Sequence, residues 1–313
     1  MFNEKEDVNR GGALIGNKGV RGDTKAALTV GLGNISQNDF QQLTNDLYAG
    51  FIKDLTSKGL ELVSPEKACS TEAYKNYERL EKADPSMAEQ IGFITIYPSN
   101  MVFYIKGLNN QGKVKQGSFM GANSKNQSNG PNFEVMQIFP KLSSQLEDAI
   151  IANIDLYVFF IKDLNTFKGN AASIKVKTSL RLVSTDYVSA KSDDKGMLMR
   201  KDVEFASGTS QIDFVSDRYN VGGSAETIYS GTLKKDIAIE GVLDDTVIRS
   251  FAKGSVDFMG TDTYFGKLYE AENKSSPVIK ELSVEVNKFK NGVKAAAEKF
   301  LLYYVENFAK TLK

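Results

Sequence analysis

Between residues 26 and 63 the apolar positions change their period twice. Ala26, Ala27, Leu28, Val30 and Leu32 form a short apolar run of the kind that fills a covered strand. Phe40, Leu43, Leu47, Phe51 and Leu55 then recur at steps of three or four, which is one stripe of a helix. Ser36 or Asn38 is placed to cap that helix, Lys58 suits its carboxyl end, and Gly59 stands where a left-handed cap is wanted. Leu60, Leu62 and Val63 begin a second strand. Residues 25–63 therefore read as strand-helix-strand, a unit that normally closes as a right-handed crossover with a parallel pair.

The pattern beyond is more broken. Ser64-Pro65 opens a helix expected over 66–83, with Pro at the favoured first position, and Asp84-Pro85 stops it. Residues 91–106 read as two strands joined by Pro98-Ser99-Asn100, and 107–132 as a long exposed loop with a short strand at 115–120. A helix over 140–151 runs into an apolar strand over 154–163. Residues 174–184 alternate apolar and polar, as a strand with one face in the core does, and 203–206 and 212–215 continue it as a meander. Further on, strands are expected at 227–233 and 236–239 and a short helix at 244–251. An apolar stripe from Val278 through Phe289, Phe300 and Phe308 makes the final stretch a long helix, kinked or restarted at Asn291-Gly292, with residues 283–286 open to a strand start.

These elements place the chain in the α/β or α+β class. The sheet is mixed, with the strand-helix-strand unit near its amino terminus, helices packed on it and a long amphipathic carboxy-terminal helix. Residues 1–24, rich in Gly and charge, read as a flexible or strand-adding arm, 25–220 as the core domain, and 221–313 as an extension that is the candidate for a second subdomain.

Composition narrows the chemistry. The 313 residues contain no His and a single Cys, Cys69. Ser-His-Asp, Cys-His and His-ligated metal sites are thereby excluded, as are intramolecular disulfides and cysteine clusters. Lys+Arg and Asp+Glu both number 39, so no global field draws nucleic acid to the chain and none is expected as a partner. No stretch approaches 18 apolar residues, and no transmembrane helix is expected. The polar, acidic start MFNEKEDVNR is not a signal peptide. The chain is expected in the cytoplasm, or in the periplasm or envelope if a signal was removed.

Residues 31–36, Gly-Leu-Gly-Asn-Ile-Ser, lie between a strand and a helix, where a dinucleotide-binding loop would be. Gly31, Gly33, Asn34 and Ser36 are therefore the candidate nucleotide- or phosphate-binding residues, because a helix amino end attracts anions. Ser36 replaces the third Gly of that motif and Glu61 comes too early for its acidic residue, so a Gly-rich structural turn competes with this reading. Gly11 to Lys18 lacks the Gly-Lys-Ser/Thr order of a phosphate loop, and Arg21-Gly22-Asp23 is a short chance-prone tripeptide. Asp193-Asp194 and Asp244-Asp245 offer oxygens to calcium or magnesium but lack alternating acidic spacing, and read as a solvated turn and a helix cap. Tyr97, Phe103 and Tyr104 suit packing better than base stacking, Cys69 reads as a structural thiol, and the lysines of the final helix accompany a packing face. No catalytic residue, metal ligand or cofactor is nominated.

Two segments together carry a family resemblance. The first is FQQLTNDLYAGFIKDLTSKGLELVS (40–64); the second is IANIDLYVFFIKDLN followed by IKVKTSLRLVSTDY, within 151–187. This order resembles the family of the curli secretion-channel lipoprotein (CsgG-like) and the related TolB amino-terminal domain. There a helix and strand precede a strand following "A-D", and a further strand reads like "LRLVD". Asn153-Ile154-Asp155 and residues 180–184 stand at those places. No lipobox Cys and no "TGE" turn after Asp186 are found, so pore formation is not implied. The resemblance implies an α/β envelope protein of bacteria that acts through assembly, without a catalytic site.

The expected function is a non-enzymatic structural or binding component of a bacterial envelope or secretion assembly, self-associating through the final helix or an exposed strand. The alternatives are a nucleotide- or phosphate-binding domain using residues 31–36, and a cytoplasmic phage or particle structural protein.

Overall fold

The computed structural model describes residues 2–9, 24–75, 77–81, 94–99, 101–105, 118–119, 122–123, 138–147, 149–164, 174–193, 202–216, 228–250, 258–263, 266–271, 277 and 279–312. In chain order these form β1 (Phe2–Asn9), β2 (Thr24–Gly33), α1 (Gln37–Ser57), a 3-10 turn (Pro65–Ser70), β3 (Glu78–Leu80), β4 (Phe103–Ile105), β5 (Ser118–Phe119), β6 (Ala122–Asn123) and α2 (Phe139–Gln145). Then come β7 (Ile151–Asp155), β8 (Val158–Asp163), β9 (Ile174–Leu182), β10 (Asp186–Asp193), β11 (Asp202–Gly208), β12 (Gln211–Val215) and β13 (Ile228–Thr232). The chain ends with β14 (Ile237–Ala238), β15 (Val247–Ser250), β16 (Phe258–Thr263), β17 (Gly266–Ala271), β18 (Ile279–Ser283) and α3 (Val286–Thr311).

Helix α1 forms where its stripe requires, and its ends show why it stops. The Ser36 hydroxyl accepts from the Asp39 N–H while the Asp39 carboxylate accepts from the Ser36 N–H, a reciprocal capping box. At the other end Gly59 takes φ 86°. The Gly59 and Leu60 amides turn back onto the Thr56 and Leu55 carbonyls, satisfying acceptors the helix would otherwise leave open.

The parallel neighbour of β2 is β18, from the far end of the chain, with Thr29 opposite Ile279 and Gly33 opposite Ser283. Residues 60–63, expected to return as that neighbour, take no regular secondary structure and join no strand of the described residues. The reason lies in what each strand brings with it. Strand β18 leads directly into α3, which runs beside α1 in the same direction: Lys290 donates to Gln42, and the Phe40 and Phe289 rings meet edge to face at 5.9 Å. Two strand-turn-helix units thus stand side by side, and together they bury far more apolar surface than a four-residue return strand would. On its other side β2 takes β1 antiparallel, with Phe2 opposite Gly31. Of the arm, residues 10–23 lie outside the described residues, and with them Arg21-Gly22-Asp23 and the glycine-lysine stretch.

A second group centres on β9, which pairs antiparallel with β8, β14 and β15. A third places β12 between β7 and β13, again antiparallel. Parallel and antiparallel pairs together with flanking helices make the architecture α+β. One hydrophobic core joins these parts: Leu28 and Val30 of β2, Leu43 and Phe51 of α1, Val176, Leu180 and Leu182 of β9, Ile212 and Phe214 of β12, and the face of α3 from Phe289 to Phe308. Phe214 sits at its centre, its ring stacked on Phe308 at 4.0 Å with Phe51 at 6.4 Å on another side. Each such ring removed from water contributes on the order of 2–3 kcal/mol. The core draws on residues from both sides of position 220.

Several elements differ from the pattern-based expectation. Of the helix expected over 66–83, the described residues form a six-residue 3-10 segment (Pro65–Ser70), turns over 72–75 and β3, because the Thr71 hydroxyl binds the Ala68 carbonyl and the Tyr74 ring stacks on Tyr104 at 4.3 Å instead of lining a helix; residues 76 and 82–83 lie outside the described residues. The expected strand over 154–163 is two strands in different groups, broken at Leu156 and Tyr157, where the Tyr157 amide donates to the Ser210 hydroxyl. Residues 247–250 are a strand on β9, not a helix; the β-branched Val247 and Ile248 suit that place. Helix α2 spans seven residues, ending before Glu147 at φ 58°. Helix α3 runs unbroken through Gly292, whose missing side chain leaves room for the Ile239 methyl, 2.5 Å from where a Cβ would stand. Among the described residues no helix is long and apolar enough to cross a membrane.

Candidate functional site

The turn between β2 and α1 holds all four candidate anion-binding residues, and each has a structural task. Gly31 and Gly33 belong to β2, whose pairing with β18 extends through Gly33. A Cβ on Gly33 would overlap the Glu281 carboxylate of β18. Asn34 takes the left-handed conformation at φ 63°, which Asn tolerates better than most residues. Ser36 is the cap of α1. The helix amino end already faces one carboxylate, Asp39, which the Ser36 hydroxyl and then its backbone N–H hold below the usual carboxylate range. Glu281 adds a second negative group beside Gly33. An incoming phosphate would meet two carboxylates here, whereas anion sites at helix ends rely on free N–H groups and positive charge.

A different cluster arises on β7 and β12. The register places Asp155 opposite Gln211 and Asn153 opposite Asp213, so these four side chains share one face of the sheet. The other face carries Ile212 and Phe214 into the core. The Gln211 amide donates to Asp155 Oδ2 at 2.9 Å, and the Asn153 amide reaches the same oxygen at 3.4 Å. Burial pushes the Asp155 carboxyl above its ordinary range; the two amides oppose this, and the charge of Asp213 adds to it. Asp213 itself is only 7% exposed and makes no side-chain hydrogen bond or ion pair among the described residues. Val215, on the same face, is fully buried, and α2 packs against β7 and β12. This is therefore a half-covered polar face, open at the Asp155 end, with two neighbouring carboxylates and no paired cation among the described residues.

A third polar centre is fully matched. Arg181 of β9 is 4% exposed. Its guanidinium donates to the Asp186 carboxylate, to Asp236 at 3.2 Å and to the carbonyls of Ile161 and Ser179, and lies 5.7 Å over the Phe159 ring. Asp236 also accepts from the Ser184 N–H and hydroxyl. Burial alone would raise Asp236, but Ser184 and Arg181 outweigh it and hold the carboxyl below its usual range. Each of the three guanidinium nitrogens has an acceptor, so this centre ties the β9 end to the Asp236 turn as a structural lock.

The remaining candidates are explained by their surroundings. Cys69 is exposed and lies 2.9 Å from the Tyr104 hydroxyl, which also donates to the Pro65 carbonyl. Burial and then the Cys69 contact push the Tyr104 phenol up. Asp245 pairs with Lys177 at 2.6 Å, while the Asp244 carbonyl accepts from the Thr178 hydroxyl, so the acidic pair closes the turn before β15. Asp193 ends β10, and Asp194 lies outside the described residues. Neither Asp213 nor Gln211 stands out in the sequence. In QIDFV a lone Asp between Ile and Phe reads as the outward position of a half-exposed strand, and only the pairing with β7 shows two carboxylates meeting on a covered face. No protein-family model, no curated protein and no solved structure matches the chain.

Proposed function

We propose that this chain is a non-enzymatic structural or binding component of a bacterial envelope or secretion assembly that works by associating with further copies of itself. One observation carries the association. After α1 the chain passes through Leu60, Glu61, Leu62 and Val63 with the apolar content of a strand, yet it takes no regular secondary structure, joins no sheet among the described residues and leaves Leu62 61% exposed and Val63 exposed beside it. Glu61, Leu62 and Val63 make no backbone hydrogen bond among the described residues. An apolar segment with open N–H and C=O groups can be taken up by strand addition, and exposed apolar side chains favour burial against a partner. Leu302 and Tyr303 of α3 add exposed apolar surface on the helical layer. The envelope setting rests on the sequence resemblance of residues 40–64 and 151–187. The nucleotide-binding alternative has no comparable support, since Glu281 and Asp39 present carboxylates to the turn it would use.

Light scattering and sedimentation of the purified chain test the proposal, together with co-fractionation on bacterial envelope membranes. The expected result is a concentration-dependent oligomer that Leu62→Asp with Val63→Pro converts to monomer while the far-ultraviolet circular dichroism is unchanged. A strictly monomeric wild type that leaves the envelope fraction empty would overturn it. For the alternative, a thermal-shift series with nucleotides compares wild type with Gly33→Val; only ligand-dependent stabilisation lost in the variant would favour it.

A further inference from the structure

We propose that the outer face of β8, β9 and β15 is a docking surface for an anionic phospholipid bilayer. Strand β9 alternates, with Val176, Leu180 and Leu182 in the core and Lys175 and Lys177 on the opposite face. The register fixes the neighbours of these two lysines. Lys162 of β8 stands opposite Lys177, and Arg249 of β15 stands opposite Lys175. Residues directly opposite in an antiparallel pair share a face with β-carbons roughly 5 Å apart, so four cations occupy a patch only about 10 Å across. Like charges facing each other across a pair oppose folding, and carboxylates to match them are scarce. Lys177 meets Asp245 at 2.6 Å, while Lys162, Lys175 and Arg249 make no ion pair or side-chain hydrogen bond among the described residues. Further along the same face the opposite holds, since Arg181 is buried and held by both Asp186 and Asp236. Lys162 and Arg249 are exposed and Lys175 is half-buried. The chain carries no net charge, so any attraction for anions here is local to this face.

Two further positions in the patch are apolar, and they choose between anions. Val247, opposite Lys177 on β15, is 52% exposed. Leu164, whose N–H donates to the Lys175 carbonyl, prolongs the β8 line beyond Lys162. Nucleic-acid phosphates have no use for exposed aliphatic groups, and bases need an aromatic platform. The described aromatic residues of these three strands, Phe159 and Phe160, are both buried. A bilayer interface takes both parts of the patch, with basic side chains on headgroup phosphates and aliphatic ones at the acyl boundary. Such a contact needs no second copy of the chain and so goes beyond the association proposed above.

The test is flotation of the full chain with vesicles of equal parts phosphatidylcholine and phosphatidylglycerol, compared with phosphatidylcholine alone. Wild type is expected to float with the anionic vesicles only, and to be released as salt shortens the screening length. Each cation near an anionic surface strengthens binding roughly fivefold, so Lys162→Gln with Lys175→Gln and Arg249→Gln should lower it by about a hundredfold. This triple variant relieves like-charge repulsion and should keep the wild-type circular dichroism. Val247→Ser should weaken binding severalfold. Lys288→Gln with Lys299→Gln and Lys310→Gln removes the same charge from α3 and should bind nearly as wild type does. No flotation of wild type, equal flotation on neutral vesicles, or equal loss in the two triple variants would overturn the proposal. Duplex DNA that strips wild type from the vesicles at equal phosphate concentration would also overturn it, because the face would then prefer nucleic acid; retention on the vesicles supports the bilayer. Sedimentation of the same samples separates the two proposals. An oligomer that leaves the vesicles empty overturns this one alone, and a monomer that floats with them supports it while overturning only self-association.

Discussion

Gly231 of β13 lies directly beneath the Tyr304 ring of α3, and a Cβ added there would overlap the ring edge. Gly231→Ala therefore tests how α3 is seated on the sheet. Tyr304 has little freedom to retreat. Its hydroxyl donates to the Thr232 carbonyl at 2.6 Å, and its ring meets Phe300 at 5.0 Å and Tyr229 at 6.4 Å, both edge to face. Forcing a methyl into such a site costs about 1–3 kcal/mol in overpacking. Turning the ring away would give up a hydrogen bond worth about 1 kcal/mol and aromatic contacts of about 0.5–1.5 kcal/mol. Restricting the unfolded chain returns about 0.4–1 kcal/mol. The net expectation is a loss of about 1–2 kcal/mol, read from urea unfolding followed by far-ultraviolet circular dichroism, since the chain has no Trp to report by fluorescence. The decisive comparison is the double variant. With Tyr304→Ala already present, Gly231→Ala should cost nothing or stabilise slightly, giving a coupling energy of about 1–2 kcal/mol. Equal costs for Gly231→Ala in both backgrounds would refute the reasoning and place the strain elsewhere.

Three further perturbations follow from buried or capping groups. The Thr29 hydroxyl is fully buried without a hydrogen-bond partner among the described residues, so Thr29→Val should raise stability by about 1 kcal/mol in the same unfolding assay. Ser36→Ala removes the hydroxyl half of the α1 capping box and should lower stability by about 1 kcal/mol; Ser36→Asp should restore most of it. Asp236 has a folded pKa below its unfolded value, so its contribution is complete above the unfolded carboxylate range and is lost as pH falls through the folded value. Asp236→Asn should cost about 2 kcal/mol at neutral pH, less than a wholly buried pair because the group is partly exposed. It should also flatten the acid limb of the stability profile, measured as urea midpoints between neutral and strongly acidic pH.

Helix α1 is legible because everything that makes it is local. Its stripe, its Ser36–Asp39 box and its Gly59 turn all fall within about one helix length. The neighbour of β2 is another matter. Residues 60–63 read as a strand by pattern and 279–283 as the start of the final helical stretch, and nothing within either segment says that the second will pair with β2; that is decided by α3 packing along α1. Gly33 illustrates the same gap. A glycine before a helix reads equally well as a phosphate cradle or as room for a side chain, and the side chain concerned, Glu281, is 248 positions away. The Asp155–Asp213 face was hidden for a related reason. Each Asp sits in an apolar strand as an apparently outward residue, and their meeting depends on the β7–β12 register together with cover on both faces. Within 66–83 the Tyr74 ring stacks on Tyr104 and meets Tyr77 edge to face, an aromatic cluster that spacing alone does not distinguish from a helix face.

The pairing of β2 with β18 also has a kinetic meaning. Thr29 and Ile279 are joined across almost the whole described chain, so this contact can form only after a very large loop has closed. Loop closure entropy grows slowly with length, but such long-range pairings delay folding and prolong the life of partly ordered states. Until β18 and α3 arrive, α1 can form on its own local signals while the flank later covered by Phe289 and its neighbours stays wet and adhesive. Fragments that omit residues 277–312 should therefore collect in inclusion bodies even though they keep the most helix-prone stretch of the chain, and refolding of the full chain should be slow and sensitive to protein concentration.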